Sequence, residues 1–363
     1  MNGRRRARLA LVACAACVLA DLVCGIVLRS IVDRARMLNV DVVDEINRRF
    51  RVAHAYYHHD LAPRYDGAGA YGPLRYTIRT NSFGFRDGRM RDVPLHATTR
   101  RVLLIGDSFT EGIGVEYEST FAARLTRRFA ADGVELLNAG VGSYTPVIYW
   151  KKIEYLLERR RLEFDEVVLF LDISDLWDEE DYSVDKAGFV AEAPYLPVSP
   201  TKIQSLRACW EHNSVVCGVY RLAVDEFRAV RRTQGTVREV AEAHREGVRL
   251  ADEHMTRLAT LLRAHHVPLT VVVYPYPEQL LAEDRESFQV SHWRDWADRE
   301  HAGFIELFTR FFAEAEALGT SSAIERYFIS ADVHWNAEGH RLAAEAFAAR
   351  FTLQPGRRTV SRF

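Results

Sequence analysis

A serine and a histidine stand at two places in this sequence where a nucleophile and its base could meet. Ser108 lies in the run 106–112 (GDSFTEG), directly after a short apolar segment, and His334 follows Asp332 by two residues. A serine hydroxyl attacks an acyl carbon when a base removes its proton, and an acidic partner fixes the tautomer of that base. We therefore expect Ser108, His334 and Asp332 to form a catalytic triad. A helix-capping serine and a structural loop histidine are the alternatives.

Five short apolar segments define the elements that would carry these residues. They lie at 102–105, 134–137, 167–171, 269–274 and 304–307. Segments without polar alternation are typical of parallel strands buried on both faces, and the stretches between them have helical spacing. This alternation predicts an α/β fold, a three-layer α/β/α sandwich around a parallel sheet of about five strands. Ligands bind beyond the carboxyl ends of such strands, which is where Ser108 falls.

Three motifs in the chain resemble those of a known enzyme family. Residues 102–112 resemble the first signature block of the SGNH/GDSL hydrolases. Residues 332–336, followed by Gly339 and His340, resemble the last block, in the D-x-H form found in membrane-associated members that include enzymes acetylating exopolysaccharides. Residues 81–87 also resemble a segment that is common in exported members.

The resemblance implies a fold and a catalytic role for each site residue. The fold would be a flavodoxin-like sandwich. Ser108 would be the nucleophile, His334 the general base and Asp332 the residue that orients it. Members of the family cleave or transfer acyl groups without a metal or an organic cofactor, so we expect neither here.

The chain departs from the family pattern at the two positions that complete the oxyanion hole. The second block has a glycine five residues after an asparagine, but Ser143 stands five residues after Asn138, with Gly142 just before it. The third block normally supplies an asparagine side chain where this chain has Ser174. We predict an oxyanion hole formed by the backbone N–H groups of Ser108 and Ser143 and the hydroxyl of Ser174.

The N-terminus predicts export. Four arginines precede an almost wholly apolar run, residues 9–28, which as a helix would rise roughly 30 Å and could cross a bilayer. The positive charge before the run predicts a single-pass anchor with the rest of the chain on the periplasmic side. Asp21 within the run favours another interpretation, a signal peptide cleaved after Ala20. A lipoprotein site at Cys14 is a further alternative, and both also export the domain.

The patterning predicts four regions. They are an anchor or signal at 1–30, a stalk and edge segment at 31–99, a hydrolase domain at 100–352 with a helical insertion at about 176–265, and a tail at 353–363. Only Cys209 and Cys217 fall in the exported part, where they form either a disulfide or two buried thiols.

Composition and the remaining polar clusters further limit the classes of function that the sequence allows. With a net charge of −2 the chain has no basic excess that would indicate nucleic acid. We interpret the histidines at 54, 58 and 59 as surface residues, and the acidic run at 172–181 as a solvated loop. Tyr274 and Tyr276 could either contact a sugar or pack in the core. The sequence thus predicts an esterase acting on an acylated small molecule or glycan. An O-acyltransferase with the same triad and a non-catalytic glycan-binding protein are the alternatives.

Overall fold

The computed structural model describes residues 12, 16–28, 42–192, 215, 242 and 244–353. Contacts divide the chain into two compact units, Met1–Asp44 with Pro194–Gln234, and Glu45–Ala193 with Gly235–Phe363. In the first unit, residues 16–28 are helical. No helix among the described residues has the length and hydropathy needed to cross a bilayer. Because the predicted span at 9–28 lies partly outside the described residues, the anchor stays a prediction, as does the disulfide between Cys209 and Cys217.

Among the residues that the structure describes, the second unit contains eleven strands and nine α-helices with both ends defined, and residues 45–47 at its start are also helical. The strands are β1 (Arg51–His54), β2 (His58–Leu61), β3 (Asp66–Tyr71), β4 (Leu74–Arg79), β5 (Arg100–Ile105), β6 (Val134–Asn138), β7 (Glu166–Leu171), β8 (Tyr182–Val184), β9 (Val190–Glu192), β10 (Leu269–Val273) and β11 (Gly303–Glu306). The α-helices are α1 (Ser108–Glu111), α2 (Phe121–Ala130), α3 (Pro146–Glu154), α4 (Arg245–Ala264), α5 (Pro277–Leu281), α6 (Phe288–Glu300), α7 (Phe308–Leu318), α8 (Thr320–Tyr327) and α9 (Ala337–Ala348).

Five of these strands form the central sheet, in the order β6-β5-β7-β10-β11, and every neighbouring pair is parallel. This is the flavodoxin-like order, in which the first strand of the sheet lies second from one edge. The five predicted apolar segments coincide with these strands, and the predicted α/β fold with a parallel five-stranded sheet flanked by helices is confirmed. Their side chains are mostly apolar because helices cover both faces of the sheet, and residues 102–105, for example, are at most 1% exposed.

The turn that follows β5 requires glycine because other chain segments approach it closely. A Cβ on Gly106 would lie 2.2 Å from Oγ1 of Thr110 and 2.8 Å from the carbonyl oxygen of Phe170. Gly112 then ends α1 in the left-handed region, at a φ of 78°. The two glycines confine α1 to four residues and place Ser108 at its start, beyond the carboxyl end of β5.

Two hairpins, β1–β2 and β3–β4, precede the sheet and belong to the same compact unit. They lie in the region predicted as a stalk and edge segment. Phe50, Leu61 and Ile78 from this region are buried in the common core. A buried ion pair also joins Asp60 of β2 to Lys152 of α3, at 2.9 Å. The hairpins are therefore packed onto the α/β domain.

The predicted insertion at about 176–265 is described only at its two ends. The first end contains a short 3-10 helix, Asp178–Asp181, and the antiparallel hairpin β8–β9. The second end is α4, which packs against α3. Residues 193–214, 216–241 and 243 lie outside the described part of the chain.

Candidate active site

Ser108 is held at the start of α1 by capping interactions on each side. The Asp107 side chain caps the helix by accepting a hydrogen bond from the Phe109 N–H, at 3.0 Å. At the other end, the buried guanidinium of Arg86 donates to the carbonyls of Glu111 and Gly112. Arg86 lies in the segment 81–87 that resembles one found in exported family members, and its hydrogen bonds hold the helix that begins with Ser108.

His334 and Asp332 lie in the loop between α8 and α9, and the fold brings them to Ser108. The Ser108 Oγ is 2.8 Å from Nε2 of His334, and Nδ1 of His334 is 2.5 Å from Oδ1 of Asp332. The loop is closed by a hydrogen bond from the Ile329 N–H to the His334 carbonyl, and Asn336 caps α9 just after it. The three predicted triad residues thus form one continuous chain of side-chain contacts, although Ser108 and His334 are 226 residues apart.

A fourth residue of this chain of contacts, Tyr71, was missed by the sequence analysis. Its hydroxyl donates to Oδ2 of Asp332 at 2.8 Å and lies 3.1 Å from Nδ1 of His334. Its ring meets the His334 ring edge to face, with centroids 5.1 Å apart. Tyr71 ends β3, in the region predicted as a stalk, and nothing in its sequence surroundings distinguishes it from other tyrosines.

These contacts set the charge of Asp332. Partial burial alone would raise the pKa of Asp332, but hydrogen bonds from His334 and Tyr71 outweigh it and lower the pKa to about 2. Asp332 is therefore ionised at neutral pH. Burial and the Asp332 carboxylate raise the pKa of the Tyr71 hydroxyl, which remains a proton donor.

The predicted oxyanion residues lie in less direct positions. Ser143 is exposed in a turn with a φ of 65°, and its carbonyl accepts a hydrogen bond from the Tyr182 hydroxyl. The Ser174 backbone N–H donates to Oδ1 of Asp172 at 2.7 Å. Neither hydroxyl contacts Ser108 or His334 by a hydrogen bond within the described part of the chain. Their oxyanion roles stay predictions.

Gly142, one residue before Ser143, lies beside the nucleophile. A Cβ on Gly142 would be 3.6 Å from the Cβ of Ser108. The Gly142 N–H donates to Oε2 of Glu111 at 2.7 Å, and Oε1 of the same buried carboxylate accepts from Nη2 of Arg51 at 2.8 Å. Asn138, the first residue of the block, instead donates to the Thr110 carbonyl at 2.7 Å and so braces α1.

A buried acidic cluster lies behind the nucleophile, at the carboxyl ends of β5 and β7. Asp107, Asp172 and Asp175 are each at most 5% exposed. Burial, together with the charge of Asp172, raises the pKa values of Asp107 and Asp175 well above their usual range. The interpretation of 172–181 as a solvated loop is thus wrong for Asp172, Asp175 and Glu179, which are buried.

Three tyrosines satisfy this cluster by hydrogen bonds, and two of them come from the motif considered for sugar binding. Tyr274 donates to Asp107 at 3.2 Å, Tyr276 to Asp172 at 2.6 Å, and Tyr149 to Asp175 at 2.8 Å. Of the two alternatives for Tyr274, core packing is the one observed, since its side chain is fully buried.

The histidines at 58 and 59 are also less exposed than surface residues. Nε2 of His59 lies 2.9 Å from the Gly142 carbonyl, and burial lowers the pKa of His59 to about 4. Within the described residues, no three histidine, cysteine or acidic side chains are arranged to hold a metal ion. The expectation of no metal and no cofactor stays a prediction.

Most of the chain that contains this site matches a known protein family. Residues 104–342 match the model of the GDSL-like lipase/acylhydrolase family. The chain belongs to this family. The family consists of acylhydrolases, so this GDSL-family protein falls in the class of hydrolases that act on ester bonds. The match begins within β5, so the hairpins that carry Arg51 and Tyr71 lie outside the matched region.

Solved structures similar to this GDSL-family chain are distant in sequence. An acetyl xylan esterase, AlAXEase, is 14% identical over 69% of this chain and 98% of its own, with a TM-score of 0.39. The psychrotrophic esterase EstA from Pseudoalteromonas sp. is 12% identical over 69% and 95%, with a TM-score of 0.38. A catalytic mutant of an acetylxylan esterase from Geobacillus stearothermophilus is 13% identical over 70% and 95%, with a TM-score of 0.40. No curated protein sequence matches the chain.

Proposed function

We propose that this protein is an exported serine esterase that removes an O-acyl group from a glycan through an acyl-enzyme. The observation that carries the proposal is the unbroken chain of contacts from Ser108 through His334 to Asp332, at 2.8 and 2.5 Å. This is the geometry of a nucleophile, a base and an orienting carboxylate. The lowered pKa of Asp332 supports it, because an ionised carboxylate holds His334 with Nδ1 protonated and Nε2 facing the serine.

The proposed reaction has two steps. Ser108 Oγ attacks the acyl carbonyl carbon while His334 Nε2 takes the hydroxyl proton, and His334 then gives that proton to the departing sugar hydroxyl. Water attacks the acyl-enzyme with His334 again acting as base, which releases the carboxylic acid and restores Ser108. In an acyltransferase a second sugar hydroxyl would replace the water.

The glycan and the location are the finer parts of the proposal. The glycan rests on the resemblance of residues 332–336 to the D-x-H block of members that acetylate exopolysaccharides. The location rests on the arginines before residue 9 and on the apolar run 9–28. The arginines and the apolar run indicate a membrane-anchored enzyme with its active site on the periplasmic side.

The test uses the full-length chain purified in detergent. A fluorophosphonate probe should label the wild type at Ser108, and p-nitrophenyl acetate should be hydrolysed. Ser108→Ala should abolish both while unfolding at the same temperature as the wild type, because the hydroxyl lies at a turn and is not packed in the core. Release of acetate from O-acetylated sugars, or its transfer to an acceptor sugar, then separates esterase from transferase.

One result would contradict the proposal. If the wild type neither reacts with the probe nor hydrolyses any activated ester, the function is non-catalytic binding on the same fold. Labelling at a residue other than Ser108 would remove Ser108 from the role of nucleophile.

A further inference from the structure

The residues expected to complete the oxyanion hole of the proposed reaction, Ser143 and Ser174, make no hydrogen bond to Ser108 in the described part of the chain. The Ser108 N–H, at the first position of α1, has no partner within the helix and can supply one donor. The Gly142 N–H, one residue before Ser143, is already donated to Glu111 at 2.7 Å. The Ser174 N–H is donated to Oδ1 of Asp172 at 2.7 Å, and Ser143 is exposed in its turn. Removing one oxyanion donor typically costs about 10²–10³ in kcat, so the identity of the second donor matters.

Arg51 places a guanidinium at this position. The point where a Cβ on Gly142 would stand is 3.5 Å from Nη1 of Arg51 and 3.6 Å from the Cβ of Ser108. Arg51 and Ser108 therefore face the same small space beside Gly142. Nη1 donates to no other residue in the described part of the chain, and the Arg51 side chain is 30% exposed, so a ligand can reach it.

The guanidinium is fixed in that place. Its other terminal nitrogen, Nη2, donates to the fully buried Glu111 at 2.8 Å, and the guanidinium carbon lies 5.4 Å from the ring centre of the buried Phe50. Glu111 cannot rotate away, because its second oxygen accepts from the Gly142 N–H. The guanidinium is planar and permanently charged. Because Glu111 holds Nη2, Nη1 can donate a hydrogen bond with little loss of side-chain entropy.

We propose that Arg51 is a catalytic residue whose Nη1 donates a hydrogen bond to the oxyanion. The inference rests on the proposed function. As Ser108 Oγ forms its bond to the acyl carbon, the π electrons of the carbonyl move onto its oxygen, which accepts from the Ser108 N–H and from Nη1 of Arg51. When the C–O bond to the sugar breaks, those electrons return to form the acyl-enzyme carbonyl. Arg51 lies outside residues 104–342, so this donor comes from the hairpin before the family's matched region.

The first test separates kcat from KM. Arg51→Ala should lower kcat for p-nitrophenyl acetate about 10²-fold with little change in KM, since the interaction forms mainly in the transition state. Arg51→Lys should fall between, because a single ammonium cannot serve Glu111 and the oxyanion together. Arg79→Ala is the matched control, because Arg79 lies in the same pair of hairpins and makes an exposed ion pair with Asp66 at 3.1 Å. It should leave both parameters unchanged.

A second pair of variants distinguishes catalysis from charge neutralisation, since Arg51→Ala also leaves Glu111 buried without its partner. Arg51→Ala combined with Glu111→Gln removes that buried charge and should recover the unfolding temperature lost by Arg51→Ala alone. Its kcat should nevertheless stay about 10²-fold below that of Glu111→Gln.

If the double variant and Glu111→Gln instead have kcat values within about three-fold of each other, Arg51 only neutralises Glu111 and the proposal is overturned. That result is distinct from failure of the proposed function, in which the wild type itself would show no labelling and no turnover.

Discussion

At the scale of single residues, Tyr71 makes the active site differ from a simple triad. Its hydroxyl donates to Oδ2 of Asp332, whereas His334 forms its hydrogen bond with Oδ1. A donor at this position withdraws charge from Asp332 and holds the carboxylate plane in line with the imidazole. Tyr71 therefore acts through Asp332 as a positioning residue.

Tyr71→Phe should lower kcat/KM about 10-fold and also change its pH dependence. Without the phenol, Asp332 loses one of the hydrogen bonds that lower its pKa, so the carboxylate that orients His334 becomes protonated at a higher pH. The acid limb of the kcat/KM profile should therefore move to higher pH. Tyr65→Phe, which removes a hydroxyl from the same hairpin that contacts only the Ala68 carbonyl, is the control. A lower kcat/KM with an unmoved acid limb would mean that Tyr71 only packs against the loop.

The sequence predicted that Ser108, His334 and Asp332 lie together, because a motif specified both their type and their position, and their catalytic roles stay predictions. Residues 106–112 and 332–336 contain Ser108 and His334 in patterns that predict a nucleophile and its base, and the fold brings these two side chains together. Tyr71 could not be found, because its partner Asp332 is 261 residues away and a tyrosine in a hairpin is usually packing. The buried state of Asp172 and Asp175 was also hidden, because a run of acidic residues normally faces water and only three-dimensional contacts with tyrosines reverse this.

At the scale of elements, the nucleophile helix α1 depends on one buried arginine. Arg86 is 1% exposed, and it donates to the carbonyls of Glu111, Gly112 and Val115. A helix of four residues has almost no internal hydrogen bonding, so its position comes from these external contacts. The short turn after β5 is therefore held in place by Arg86, which lies outside it.

Arg86→Ala should lower the free energy of unfolding by at least about 3 kcal/mol, since it leaves several buried carbonyls without a donor. Urea denaturation followed by far-UV circular dichroism measures the change. Arg86→Lys should recover only part of the stability, because one ammonium cannot span three carbonyls. A loss below about 1 kcal/mol for Arg86→Ala would show that water replaces the guanidinium and that α1 does not depend on it.

At the scale of the whole molecule, the family's matched region is smaller than the unit that forms the site. Residues 104–342 contain Ser108, Asp332 and His334, but Arg51, Tyr71 and Arg86 come from the segment before them. The sequence predicted the five-stranded sheet well, because apolar strands buried on both faces have a distinct pattern. It placed the hairpins as a stalk and edge segment, because short polar strands have no such pattern and their packing depends on distant partners.

The orientation of the chain is the prediction that belongs to this scale. A reporter enzyme that is active only outside the cytoplasm, fused after Phe363, should be active in cells, and the protein should sediment with membranes and retain residues 1–20. The arginines before residue 9 supply the physical reason, since positive charge stays on the cytoplasmic side. A soluble mature chain beginning at Asp21 would establish a cleaved signal peptide instead, and an inactive reporter would contradict export.

The 226 residues between Ser108 and His334 also have a consequence for biosynthesis. At translation rates of about 5–20 residues per second, the serine leaves the ribosome roughly 10–45 s before the histidine does. During that interval the hydroxyl has no base and is an ordinary unreactive alcohol. The triad is complete only when α9 and the loop before it dock, so reactivity begins with the folding of the domain, after His334 has been synthesised.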